Sequence, residues 1–332
     1  MKNVLFVFIT GFLLASCAKE NSDRFFPYNN SGLNDTVWVA QPPASASVNS
    51  IPTIFSFATK QDSVQVTTTT KVHFSEFLDV TFPAGFARFS NGAAATGKVK
   101  VEITHLRKNG DFIRFARPTT SYGNLLVSGG SFFIKVTKEG QDLVIDPTKN
   151  ITLHIRDANP VTNMRVFYGE TNLPLPVPPG TNPSFTWVQS NDSSSSVNVV
   201  TRQDSLSGIF RGYDLVSRRF NWVNCDYFID STQPKTRISA ILPANFTNAN
   251  TMVFAAFKDQ KIVVQLYGDL SSRSFIAPNI PINKRIILVS ISKIDDDLYF
   301  SSAEVNVENN LRVNLTPEKK TKAQIDVFLD AL

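Results

Sequence analysis

Lys98-Val99-Lys100-Val101-Glu102-Ile103 alternates charged and β-branched residues without a break. Successive side chains of a strand point to opposite faces, so Val99, Val101 and Ile103 share one face and the charges share the other. That is the pattern of a strand with one face on a core and one in water. The neighbours of this stretch repeat the theme. Asn91-Gly92 marks a turn before it, and Asn109-Gly110 after it is the strongest hairpin signal in the chain. Strand-like runs surround these turns: Val64–Val72, Asp79–Phe82, Phe112–Phe115, Asn124–Val127, Ser131–Val136, Leu143–Ile145 and Ile151–Ile155. Glu139-Gly140 reads as a further tight turn, and Ser128-Gly129-Gly130 as a bulge or turn that needs positive φ. Thr36–Ala40 reads as a short first strand.

Residues 159–204 change character. Arg165–Tyr168 is strand-like, but four prolines fall within Leu173–Pro179 and four serines in a row follow at 193–196. Such a stretch predicts a connector between domains. Beyond it strand patterns resume at Ile209–Tyr213, Phe220–Val223, Thr236–Leu242, Met252–Phe257, Ile262–Tyr267, Arg285–Ile291, Leu298–Phe300 and Leu311–Leu315. At the end, Thr321-Lys322-Ala323-Gln324 has the spacing of a capping box, and Ile325, Phe328, Leu329 and Leu332 share one helical face. The expectation is an all-β fold of two β-sandwich-like domains, 36–158 and 205–332, with a short C-terminal helix at 321–332.

Composition agrees. The 332 residues include 27 Phe and only 18% charged residues, enough apolar mass for a sizeable core. The net charge of +5 is spread thinly, with no basic run, so no nucleic-acid partner is expected. There are two cysteines. Cys225, flanked by Trp222, Val223, Tyr227 and Phe228, reads as a buried free thiol.

The other cysteine belongs to a different kind of segment. Lys2 precedes an apolar run, Val4–Leu14, that is too short to cross a bilayer as a helix. Leu14-Ala15-Ser16-Cys17 follows it and resembles the lipobox of bacterial lipoproteins, in particular those of Bacteroidetes. The resemblance implies a signal peptide at 1–16, cleavage before Cys17, and lipidation of that cysteine by diacylglyceryl and palmitate-like acyl chains. Two or three chains hold a soluble domain at a membrane where one would not. Residues 17–35 would then be a polar tether, and the outer membrane, on its periplasmic or cell-surface face, the expected location.

A second resemblance covers residues 72–157. Val80-Thr81-Phe82-Pro83-Ala84-Gly85-Phe86-Ala87, followed by Gly97-Lys98-Val99-Lys100-Val101-Glu102-Ile103, is similar to the opening of a ZU5-type β-sandwich. Phe86 departs from the small residue that family prefers. The likeness implies an interaction module without catalytic residues. Some ZU5 proteins cleave themselves within a His-Phe-Ser triplet near the domain end. Here His73-Phe74-Ser75 lies on an opening strand instead, so the bland reading as strand residues is preferred.

Chemistry is otherwise sparse. His73, His105 and His154 lie in strand-like segments without HExxH or HxH spacing, and no Gly-x-Ser-x-Gly elbow exists. Asp295-Asp296-Asp297 lacks the calcium-loop pattern and reads as a solvated hairpin turn. No catalytic residue, metal site or cofactor is expected. The densest aromatic segment, 208–228, interleaves arginines. Arg211, Tyr213, Arg218, Arg219 and Trp222 are the candidate binding surface, by stacking on a sugar or peptide; a core role for the aromatics is the competing reading. The expected function is a non-catalytic, lipid-anchored cell-envelope protein that binds a protein or glycan partner. The alternative is an envelope hydrolase whose site residues are dispersed along the chain.

Overall fold

The computed structural model describes residues 38–57, 59–171, 185–204, 208–229 and 232–332. In chain order the strands begin with β1 (Lys60–Gln65), β2 (Thr70–Ser75), β3 (Leu78–Phe82), β4 (Ala87–Phe89) and β5 (Lys98–Leu106). Then come β6 (Thr120–Ser121), β7 (Asn124–Lys138), β8 (Gln141–Ile145), β9 (Ile151–Arg156), β10 (Arg165–Thr171) and β11 (Phe185–Gln189). They continue with β12 (Ser196–Asp204), β13 (Gly208–Ser217), β14 (Asn221–Phe228), β15 (Lys235–Ile241), β16 (Thr251–Phe257) and β17 (Val263–Asp269). The last are β18 (Ser274–Pro281), β19 (Arg285–Ile294), β20 (Asp297–Asn306), β21 (Arg312–Asn314) and β22 (Glu318–Lys319). Three short α-helices complete the described residues: α1 (Ile51–Phe55), α2 (Asn109–Arg114) and α3 (Lys322–Ala331). The fold is all-β and sandwich-like, with the short C-terminal helix in place.

The strands form three sheets. A nine-stranded sheet runs β1-β5-β7-β14-β10-β11, with β4, β6 and β8 attached off that path. A five-stranded sheet runs β12-β13-β9-β3-β2. Between these two lies one core, to which Val99, Val101 and Ile103 contribute together with Val80, Leu153, Tyr213, Leu215 and Cys225. The face-sharing read from the opening stretch is therefore the face that is buried. The eight-stranded third sheet runs β21-β15-β18-β17-β16-β19-β20-β22. Its central strand β16 is buried at every position, as its unbroken apolar run Met252–Phe257 requires. A second core joins that sheet to α1, α2, α3 and Leu106 of β5.

Strand pairing crosses the expected domain boundary. β13 pairs with β9, and β14 pairs with β7 and β10, so residues 208–228 complete the sandwich begun before residue 158. The stretch 159–204 itself supplies β10, β11 and β12. Residues 173–179 lie outside the described residues. The serines at 193–194 form a turn that leads into β12.

Two local readings also change. Asn109-Gly110 opens helix α2 instead of a hairpin, and Phe112–Arg114 is helical. The Asn109 amide donates to the carbonyls of Phe257 (2.8 Å) and Gln260 (3.2 Å), while the Asp111 carboxylate accepts from the backbone N–H of Arg107 (2.8 Å) and Lys108 (3.0 Å). The Asp111 bond to the Lys108 N–H satisfies one of the amides that a helix start leaves unpaired, and Asn109 ties that start to the end of β16 and the turn after it. Trp38–Ala40 is not a strand; the Asn248 side chain bonds both the N–H and the carbonyl of Val39.

Other turns follow the sequence. Glu139 (φ 51°) and Gly140 (φ 78°) form the two-residue β7–β8 connection, the left-handed pair that a type I′ hairpin needs. Gly129 is the extra residue of a bulge opposite Cys225 and Asp226, with Gly130 at φ 139°. Asp295-Asp296 is an exposed two-residue turn between β19 and β20.

Candidate functional site on the five-stranded sheet

The five residues expected to share a binding surface do not. Tyr213 points into the sandwich core, 1% exposed, where its hydroxyl accepts the Val161 N–H at 2.8 Å and burial pushes its phenol pKa up. It therefore cannot stack on a ligand. Trp222 projects from the opposite face of the nine-stranded sheet and packs among Phe133, Phe185 and Trp187, beneath the Arg117 guanidinium. Arg219 pairs with Glu170 at 2.9 Å and covers the Tyr168 ring. Arg218 lies 3.2 Å from the Ser194 hydroxyl, and Arg211 is exposed. Arg218 and Arg219 lie in the connection between β13 and β14, and Trp222, next to the core residue Val223 on β14, alternates to the face away from that core. Cys17 lies outside the described residues. Cys225 is a free thiol buried in the sandwich, and burial holds its pKa well above the ordinary value.

A different constellation assembles on the outer face of the five-stranded sheet. Alternation turns Thr81 of β3, His154 of β9 and Asp214 of β13 away from the core that Val80, Leu153 and Leu215 fill. Register places Asp214 directly opposite His154, and His154 opposite Asp79. His154 Nδ1 lies 2.7 Å from Asp214 Oδ1, and its Nε2 lies 2.8 Å from the Thr81 hydroxyl. A carboxylate oxygen can only accept, so the bond to Asp214 places a proton on Nδ1. Arg202 of β12 donates to the second Asp214 oxygen at 2.7 Å.

Electrostatics lock this group. Burial would raise the Asp214 pKa, but the hydrogen bonds from His154 and Arg202 outweigh it and hold the carboxyl below its ordinary 3.8. Above the row, the guanidinium carbons of Arg156 and Arg202 sit 4.9 and 4.4 Å from the centre of the Phe210 ring, which is thereby covered. Below it, Asp79 is 2.7 Å from His73 Nδ1 and 3.1 Å from Lys71 Nζ. His73 of the His-Phe-Ser triplet is thus part of a cross-strand hydrogen bond, and Phe74 is part of the core. Such opposed pairs contribute roughly 0.2–1 kcal/mol each to sheet stability.

The order hydroxyl, imidazole, carboxylate is that of a nucleophilic triad. What this face lacks is the rest of such a machine. Thr81 sits mid-sheet, where backbone N–H groups lie in the sheet plane within the ladder, so no pair of amides points outward to hold an oxyanion. The arrangement presents fixed charges and donors on the outer face of the sheet. None of Thr81, Arg202 and Asp214 stood out in the sequence, because each belongs to a different strand and only strand order unites them with His154.

No protein-family model matches the chain, and comparison with curated proteins finds no similar one. Among the described residues no helix is long and apolar enough to cross a membrane.

Proposed function

We propose that the chain is a non-catalytic lipoprotein of a bacterial cell envelope, anchored through Cys17 to the outer membrane, that binds a protein or glycan partner with its five-stranded sheet. The observation that carries the binding half is the Thr81–His154–Asp214–Arg202 network. It fixes four polar side chains from four strands in one row on the outer face of the sheet. Preorganised polar groups on a rigid sheet suit recognition of a complementary surface, because little side-chain entropy remains to be lost on binding. The likeness of residues 72–157 to ZU5-type interaction modules points the same way, although strands β10–β14 lie outside that range. The anchor rests on the signal-like segment 1–16 and Leu14-Ala15-Ser16-Cys17.

Fractionation of cells tests the anchor. Wild-type protein is expected in the membrane fraction and Cys17→Ser in the soluble one; a mutant that stays with the membranes overturns it. The triad-like order of Thr81, His154 and Asp214 favours a second reading, an envelope hydrolase. Ester turnover by the purified chain that His154→Ala abolishes would establish that reading against binding.

A further inference from the structure

A cavity of about 230 Å³ opens at the end of the sandwich, between the last residues of β5 and the β2–β3 turn. Its walls are apolar where Phe57, Phe74 and Ile103 face it, and its polar groups include Lys60, Glu76, His105 and Arg107. The His105 ring stacks on Phe132 at 4.4 Å, and Gly130 approaches it closely: a Cβ there would stand 3.1 Å from Nε2. Nδ1 is shielded from solvent and has no hydrogen-bond partner. Burial, aided by the charges of Arg107 and Lys261, brings the imidazole pKa down to about 3, so the ring is neutral and one of its nitrogens is a donor.

The charges nearby are also incompletely matched. The Arg107 guanidinium lies 3.1 Å over the Phe77 ring, and its side chain makes no ion pair or hydrogen bond among the described residues. Lys60 has none either; among the lining residues these two cations face the single carboxylate of Glu76, while Asp111, behind Arg107, also acts on its charge. Aromatic walls disfavour a strongly hydrated inorganic anion, and the volume is below the ~300–1,000 Å³ typical of sites for drug-sized ligands.

We propose that this cavity binds a small organic carboxylate with an apolar body, its carboxylate on Arg107 and its body against Phe57, Phe74 and Ile103. The site is separate from the polar row on the five-stranded sheet, so the two readings stand or fall independently. Calorimetric titration of the full chain with octanoate, and with octanol as the uncharged counterpart, tests it. Octanoate is expected to bind about tenfold or more tightly than octanol, since a hydrogen bond to a charged group is worth about 1.5–3 kcal/mol. Arg107→Gln is expected to erase that preference, and Glu76→Gln to strengthen octanoate binding by removing a like charge. In the unmutated chain, octanoate is also expected to shift the His105 imidazole ¹⁵N resonances. Equal binding of acid and alcohol, no octanoate binding, or an unmoved His105 signal overturns the proposal, whether or not Arg107→Gln folds.

Discussion

Asp214 of β13 and Asp226 of β14 show how burial and partners set the behaviour of one residue type. Asp214 has His154 and Arg202 against its two oxygens, and its pKa is lowered. Asp226 is fully buried; Asn224 donates to one oxygen at 2.5 Å while the other has no partner. Burial dominates there and drives its pKa well above 3.8. Stability rises with pH wherever the unfolded chain binds more protons. Asp214 therefore contributes stability above pH 3.8 that is lost as pH falls through its lowered native value. Asp226 does the reverse: its contribution is complete below pH 3.8 and is lost as pH rises above it toward its native pKa. Urea unfolding of Asp226→Asn is expected to show a gain in stability that grows between pH 5 and pH 8, whereas Asp214→Asn is expected to lose stability at both. A pH-independent effect of Asp226→Asn would contradict the assignment. Neither role was legible in the sequence, since Asn224-Cys225-Asp226 looks like any polar break in a strand.

At the scale of elements, helix α2 and the C-terminal helix α3 are locked to each other. Arg114, 5% exposed, bonds the Asp326 carbonyl at 2.8 Å and pairs with Asp330 at 2.9 Å. A Cβ at residue 110 would overlap the Leu329 carbonyl, so glycine is there for close approach. The expected cost of Gly110→Ala is about 1–3 kcal/mol through overpacking, although alanine is intrinsically the better helix residue. A denaturation midpoint that rises instead would show that the helices are not so closely packed. The helix α3 was fully legible: Thr321 and Gln324 bond each other's backbone N–H, and Ile325 and Leu329 are buried. Asn109-Gly110 was misread because the residues that suit a tight turn also suit a helix start and a close contact. Strand β18 escaped notice for a related reason. Its Pro278 and Asn279 discourage strand formation, and they fit only because the β15–β18 register shifts there, with Asn279 at φ 63°.

At the scale of the molecule, alternation told which residues face a core but not which strands share one. The face of Val99 was correct, yet its sandwich needs β13 and β14 from more than a hundred residues later. Pairings such as β9–β13 leave no local trace in composition, so 159–204 looked like a boundary. The candidate recognition face is a product of that long-range pairing: Thr81 and His154 come from before the stretch, Asp214 from after it, and Arg202 from its end. The central claim is that this face meets a partner in the envelope. Its most direct test is a photo-crosslinking residue at Asn198, exposed on β12 and opposite Asp214, in living cells. The expected result is a discrete adduct from Asn198 that Arg202→Glu abolishes and that a crosslinker at Ser302 on the third sheet does not form. No adduct from Asn198, or the same adduct with Arg202→Glu, would contradict the account.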